Sequence, residues 1–168
     1  MSIRRLATTS QGLKARVKRR SARYRQFIRR TKKNPIPLLP FKRLAHAVES
    51  TVDCTACANC CKTMRIQLNG SDIKRLARHT SMSVPAFKTQ YLIFNQKDQI
   101  HEMKTRPCPF LSPENLCTVY AIRPRDCRGY PFLQEHQPID YRLPWMVDHA
   151  ESCPIIFNTL EDLMERYG

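Results

Sequence analysis

Apolar residues recur at helical spacing at Leu13, Val17, Tyr24, Phe27 and Ile28, broken by Arg20 and Ser21, while Lys and Arg fill the other faces. The pattern predicts an amphipathic helix over about residues 11–33, capped by Thr8, Thr9 or Ser10 and stopped by Pro35 and Pro37. Residues 34–40, with three prolines, read as a linker. Further along, Ser71 and Asp72 read as a cap before Ile73, Leu76 and Ala77, and Ser83-Val84-Pro85 opens a second short helix carrying Phe87, Tyr91 and Leu92. Residues 91–103 bracket Asn95-Gln96-Lys97-Asp98, a turn between two short strands. Asn158 followed by Glu161 reads as a capping box, which places a C-terminal helix over 157–168 with Leu160, Leu163, Met164 and Tyr167 inward. No internal repeat is visible. The fold class expected is a small α+β domain rich in irregular loops, organised by Cys-ligated metal and preceded by a basic helix.

Charge divides the 168 residues unevenly. Residues 1–43 hold 15 of the 29 Lys and Arg and no acid, whereas the remaining 125 hold 14 basic and 14 acidic groups. The expected organisation is a basic arm over 1–43, a cysteine domain over 44–156 and the terminal helix. Such an arm suits RNA, the ribosome or another polyanion, through release of counterions from phosphates. Three other readings stay open: an anionic membrane surface, an organelle transit peptide and a solvated tail. No stretch approaches the roughly 20 apolar residues of a membrane span, and no export signal is visible, so a cytoplasmic protein is expected, or an organellar one if the arm is a transit peptide.

All eight cysteines lie between Cys54 and Cys153, and four of them fall in Cys54-Thr-Ala-Cys57-Ala-Asn-Cys60-Cys61. In a reducing compartment thiols so crowded repel one another as thiolates unless a cation neutralises them, which favours metal over disulfides. The later cysteines, Cys108, Cys117, Cys127 and Cys153, supply no second Cys-x2-Cys knuckle, which disfavours a simple zinc finger. The run Cys54-x2-Cys57-x2-Cys60 matches three ligands of bacterial ferredoxin-type iron-sulfur sites, and Cys108-Pro109 or Cys153-Pro154 fits the last, although far away in sequence. In extended backbone Cys60 and Cys61 point to opposite faces, so the pair suits two metals or two sides of one cluster. Eight thiolates around two divalent ions leave about four negative charges, which Arg123, Arg125 and Arg128 around Cys127 are placed to offset. Soft thiolates suit zinc and iron-sulfur clusters alike, so the cofactor stays zinc or iron, in one or two sites.

The octet, then Cys108-Pro-Phe-Leu, then Cys117-Thr-Val-Tyr-Ala-Ile-Arg-Pro-Arg-Asp-Cys127-Arg-Gly-Tyr-Pro131, together resemble the YkgJ-like cysteine-cluster family over about residues 50–155. The resemblance implies a zinc- or iron-chelating protein with Cys54, Cys57, Cys60, Cys61, Cys108, Cys117 and Cys127 as ligands and Cys153 as the eighth. Ala58 departs from the pattern, since members often carry glycine there, and the basic arm lies outside it. The histidines form no pair at i, i+4, and His149 stands out only for lying four residues before Cys153. Phe110, Tyr120, Tyr130 and Phe132 are expected to shield the metal from water. Four glycines in the chain allow no phosphate-cradling loop, and no His-x-Glu precedes a Pro-Cys-x-x-Cys, which disfavours a zinc deaminase. Three function classes remain: a metal-cluster protein in redox, metal-handling or accessory work, a zinc-stabilised RNA-binding module, and a metal-dependent enzyme. Eight cysteines that fill closed sites leave no open ligand position, so catalysis ranks last.

Overall fold

The computed structural model describes residues 7–168, so the first six residues of the basic arm lie outside it. In chain order the elements are α1 (Leu13–Lys33), α2 (Leu38–Glu49), α3 (Cys54–Cys57), α4 (Asn59–Thr63), β1 (Gln67–Leu68), α5 (Gly70–His79), α6 (Val84–Tyr91), β2 (Leu92–Asn95) and β3 (Ile100–Met103). A 3-10 turn at Tyr120–Ile122, α7 (Arg125–Gly129), α8 (Ile139–His149) and α9 (Pro154–Tyr167) complete them. The mixture of helices with one small sheet is α+β, as expected. It divides into two units, one of Met1–Cys57 with Pro131–Gly168, the other of Ala58–Tyr130.

The first unit is helical. Here α1 packs on α8 and α9, α2 packs on α9, and α8 packs on α9. The stripe of α1 turns Leu13, Tyr24 and Phe27 into the core beside Phe41, Leu143, Met146, Phe157 and Leu160, while Val17 and Ile28 are only half-buried. The Tyr24 hydroxyl donates to Glu161 at 2.7 Å, Arg20 pairs with the same carboxylate at 2.6 Å, and the Arg16 guanidinium lies 4.3 Å from the Phe157 ring centre. The basic residues on the inner side of α1 are thus used inside the unit.

Both ends of this unit differ from the expected caps. Gly12, at φ 73, precedes α1 with no side-chain cap, because glycine enters the left-handed turn at little cost and no Thr or Ser is needed. At the other end α9 starts at Pro154, whose missing N–H costs nothing in the first turn. Asn158 therefore lies inside the helix, and its side chain serves Ala7 instead: Oδ1 accepts the Ala7 N–H at 3.0 Å and Nδ2 donates to the Ala7 carbonyl at 2.9 Å. In α8 the buried Arg142 donates to the carbonyls of Leu133, Glu135 and Gln137 and so fixes the loop before it.

The second unit is built on an antiparallel sheet in the order β1-β3-β2, with Gln67 opposite Glu102 and Leu92 opposite Met103. The β2–β3 turn forms because Asn95 Oδ1 accepts the N–H groups of Lys97 and Asp98. Helices α5 and α6 pack together, and Leu68, Ile73, Leu76, Phe87, Met103, Phe110 and Val119 make one core. Each fully buried side chain of that size contributes about 1.5–3 kcal/mol. The cap of α5 is Asn69, not Ser71: Asn69 Oδ1 accepts the Asp72 N–H at 2.9 Å while the Asp72 carboxylate accepts the Asn69 N–H, so the box closes two residues earlier. Ser83 caps α6 by accepting the Ala86 N–H at 3.3 Å.

Candidate metal centre

Five cysteines belong to the second unit, and local bonds set each in place. Cys60 and Cys61 sit in the single turn of α4, entered through Ala58 in the left-handed region at φ 47. The pair is therefore helical, and the extended backbone that would aim neighbouring side chains at opposite faces is not present. Glycine would adopt that entry conformation without strain, whereas Ala58 holds it with a Cβ.

From α4 the scaffold reaches the next cysteines through the backbone. The Cys61 carbonyl accepts the Cys108 N–H at 2.8 Å, which ties the octet to the Cys108-Pro109 loop. That loop closes on itself through Ser112 N–H to Leu116 carbonyl and Thr118 N–H to Phe110 carbonyl, at 2.8 and 2.9 Å, and returns Cys117 opposite Leu111. Cys127 rides on α7, whose Asp126 carboxylate accepts the Gln67 N–H of β1. Arg75 of α5 clamps the connecting segment, donating to the carbonyls of Ile122 and Arg123 and to Asp72, while Asp72 also accepts the Arg125 N–H at 3.2 Å. Cys108, Cys117 and Cys127 then rest half-buried on the core of the unit.

The electrostatics mark Cys61, Cys108, Cys117 and Cys127 as one group. Burial pushes the Cys127 thiol up to about 12, helped by Cys108, Cys61 and Cys117 and by Asp126. Burial likewise raises Cys108 to about 11, with Cys61 and Cys117 adding repulsion against the help of the Phe110 N–H. Cys61 goes the other way, down to about 7, chiefly through a hydrogen bond from Cys60, then through Arg123 and Lys62, against its own burial. Arg123 lies 3.9 Å over the Tyr120 ring, and its buried Nε has no hydrogen-bond acceptor among the described residues.

Such a set fits a soft cation. Half-buried thiols gain little from losing protons alone, and each thiolate makes the next harder to form; a divalent ion reverses both effects at once. Even so, among the described residues no three His, Cys, Asp or Glu side chains close to coordination geometry around one point. The thiols are neighbours, not a finished cage.

The other cysteines belong to the first unit. Cys54 and Cys57 begin and end α3, at the i, i+3 spacing that puts two side chains on one face. Asp53 stands at its start: its carboxylate accepts the Thr55 hydroxyl and N–H, and those bonds hold it below the usual carboxylate range. Cys153 is buried at the start of α9. His149 stacks on Trp145 with ring centres 4.3 Å apart, and its Nδ1 is 2.9 Å from the Trp145 carbonyl. Of the aromatic residues expected to shield metal, Phe110 is buried in the core of the second unit, Tyr120 is 67% exposed, and Phe132 meets Trp145 in the first unit. Asp72, read in the sequence only as part of a cap, and Arg75, not read there at all, hold the Cys117–Cys127 segment; their i, i+3 spacing is the local signal of the pair.

A family model, CxxCxxCC, described as "Putative zinc- or iron-chelating domain", matches residues 53–153, more than half of the chain. No curated protein and no solved structure matches. No helix among the described residues is long and apolar enough to cross a membrane.

Proposed function

This chain belongs to the CxxCxxCC family of zinc- or iron-chelating domains, and on that premise we propose that it is a metal-holding protein whose first site is formed by Cys61, Cys108, Cys117 and Cys127. The observation that carries this reading is the gathering of four half-buried thiols from separate stretches of chain, where burial first and the neighbouring sulfurs second hold Cys108 and Cys127 protonated. A bound ion would supply charge neutralisation. The protein's own part is to bring the sulfurs together, place Cys60 as a donor to Cys61, and set the Arg123 guanidinium where it favours the Cys61 thiolate. Cys54, Cys57, Cys60 and Cys153 complete the ligand set that the family resemblance implies. The thiols act here as ligands rather than nucleophiles, in redox, metal-handling or accessory work.

Anaerobic purification, elemental analysis and a visible spectrum test the assignment. Iron with acid-labile sulfide and a brown colour establishes a cluster, and colourless zinc establishes a structural centre. Replacing both Cys108 and Cys127 by Ser is expected to lower metal content by about one equivalent or by the whole cluster. A protein free of both metals, or a double variant with undiminished content, overturns the assignment.

A further inference from the structure

We infer that the outward face of α1 is a docking surface for double-stranded DNA, whose major groove receives the helix. The inner side of α1 is already committed, with Leu13, Tyr24 and Phe27 buried and Arg16 and Arg20 engaged with Phe157 and Glu161. The outer side carries exposed cations in two rows. At about 100° per residue, Lys14, Lys18, Arg25, Arg29 and Lys32 share one edge of the exposed arc. Arg19, Arg23 and Arg30 share the other, about 140° around the axis. Between the rows lie the exposed Ala15, Ala22 and Gln26, with Lys33 at the C-terminal end. No carboxylate among the described residues pairs with either row.

That layout selects among polyanions. A membrane-surface helix needs its apolar stripe for lipid, and here the stripe is spent in the core. Single-stranded nucleic acid is held by aromatic stacking, yet Tyr24 and Phe27 face inward. A B-form major groove, about 12 Å wide, admits a helix of about 10–12 Å diameter. Ala15 and Ala22 on the midline let the backbone approach the groove floor, and the two rows meet the two phosphate walls. Gln26, on the midline, is of the type that bonds the adenine edge. From Lys14 to Lys32 the surface runs about 27 Å, some eight base pairs at about 3.4 Å each.

Fluorescence anisotropy tests this on the full chain as purified, with a labelled mixed-sequence duplex of about 20 base pairs, longer than the surface it must cover. Eight phosphate contacts predict that log affinity falls with log salt at a slope of about −7, and Arg25→Ala with Arg29→Ala should flatten it by about 2. Ala22→Trp, which leaves charge unchanged at an exposed position, is expected to weaken binding at least tenfold by filling the groove floor, and Ala15→Trp provides an independent repeat. Duplex affinity unmoved by both Trp variants overturns the groove assignment. Equal or tighter binding to phosphatidylserine vesicles, or to either single strand of the duplex, overturns it too.

Discussion

At the residue scale the decisive contrast is between Cys61, at about 7, and Cys108 and Cys127, at about 11 and about 12. Three groups lower Cys61, and the Cys60 hydrogen bond outweighs Arg123, which outweighs Lys62. In the metal-free protein, Cys60→Ala is therefore expected to raise the Cys61 titration further than Arg123→Ala, and both further than Lys62→Ala. Ultraviolet thiolate absorbance against pH measures the order, and an Arg123 effect larger than that of Cys60 contradicts it. Ala58 shows what a sequence comparison can hide: an L-residue in the left-handed region costs about 1–2 kcal/mol, while glycine there adds about 0.4–1 kcal/mol of unfolded-chain freedom. The second offsets only part of the first, so Ala58 holds the turn at a net cost and Ala58→Gly is expected to stabilise the chain.

Among the elements, the hydrophobic period of α1, α5, α6 and α9 was legible, whereas α2 and α8 were not, α2 beginning at Leu38 inside the stretch read as a linker, and end chemistry was not legible either. Helix α6 and the β2–β3 turn follow from Ser83-Val84-Pro85 and from Asn95, both local signals. The starts of α5 and α9 were misplaced because Asn and Asp side chains have several partners to choose from. Asn69 won over Ser71 since Asp72 could answer it; Asn158 was claimed by Ala7, 151 residues away in the chain. These assignments separate in mutants. Asn69→Ala is expected to cost about 1 kcal/mol through loss of the cap. Asn158→Ala is expected to cost about 1–3 kcal/mol by leaving the Ala7 backbone groups without partners, with helix content unchanged. Urea unfolding followed by circular dichroism reads both, and a loss of helix in the Asn158 variant would restore it as a cap.

For the whole molecule, cysteine spacing announced a long-range site without saying which sulfurs meet. That depends on loop closures such as the Cys61–Cys108 and Phe110–Thr118 backbone bonds, which have no short-range signature, and on the Arg75 clamp, of which only the Asp72 pairing is local. The second unit also has an apolar core made by β1, β3, α5 and α6, with three cysteines at its border. Metal removal should therefore act unevenly. Chelation is expected to raise amide hydrogen exchange across residues 104–130, where ligands outnumber regular elements, and to leave β3, α5 and α6 protected. Uniform loss of protection throughout residues 58–130 would mean instead that the ion supports the whole unit.

The same gradation among sulfurs makes the protein a reporter of its own occupancy. In a metal-free chain Cys61, lowered chiefly by the Cys60 hydrogen bond, gives up its proton well before Cys108 and Cys127, which burial holds protonated. Brief iodoacetamide treatment should then alkylate Cys61 well ahead of those two, and an ion held by all of them should mask all of them. Peptide mass mapping of that single modification would count empty chains in a mixed population, including inside a cell, where elemental analysis cannot tell one protein's metal from another's.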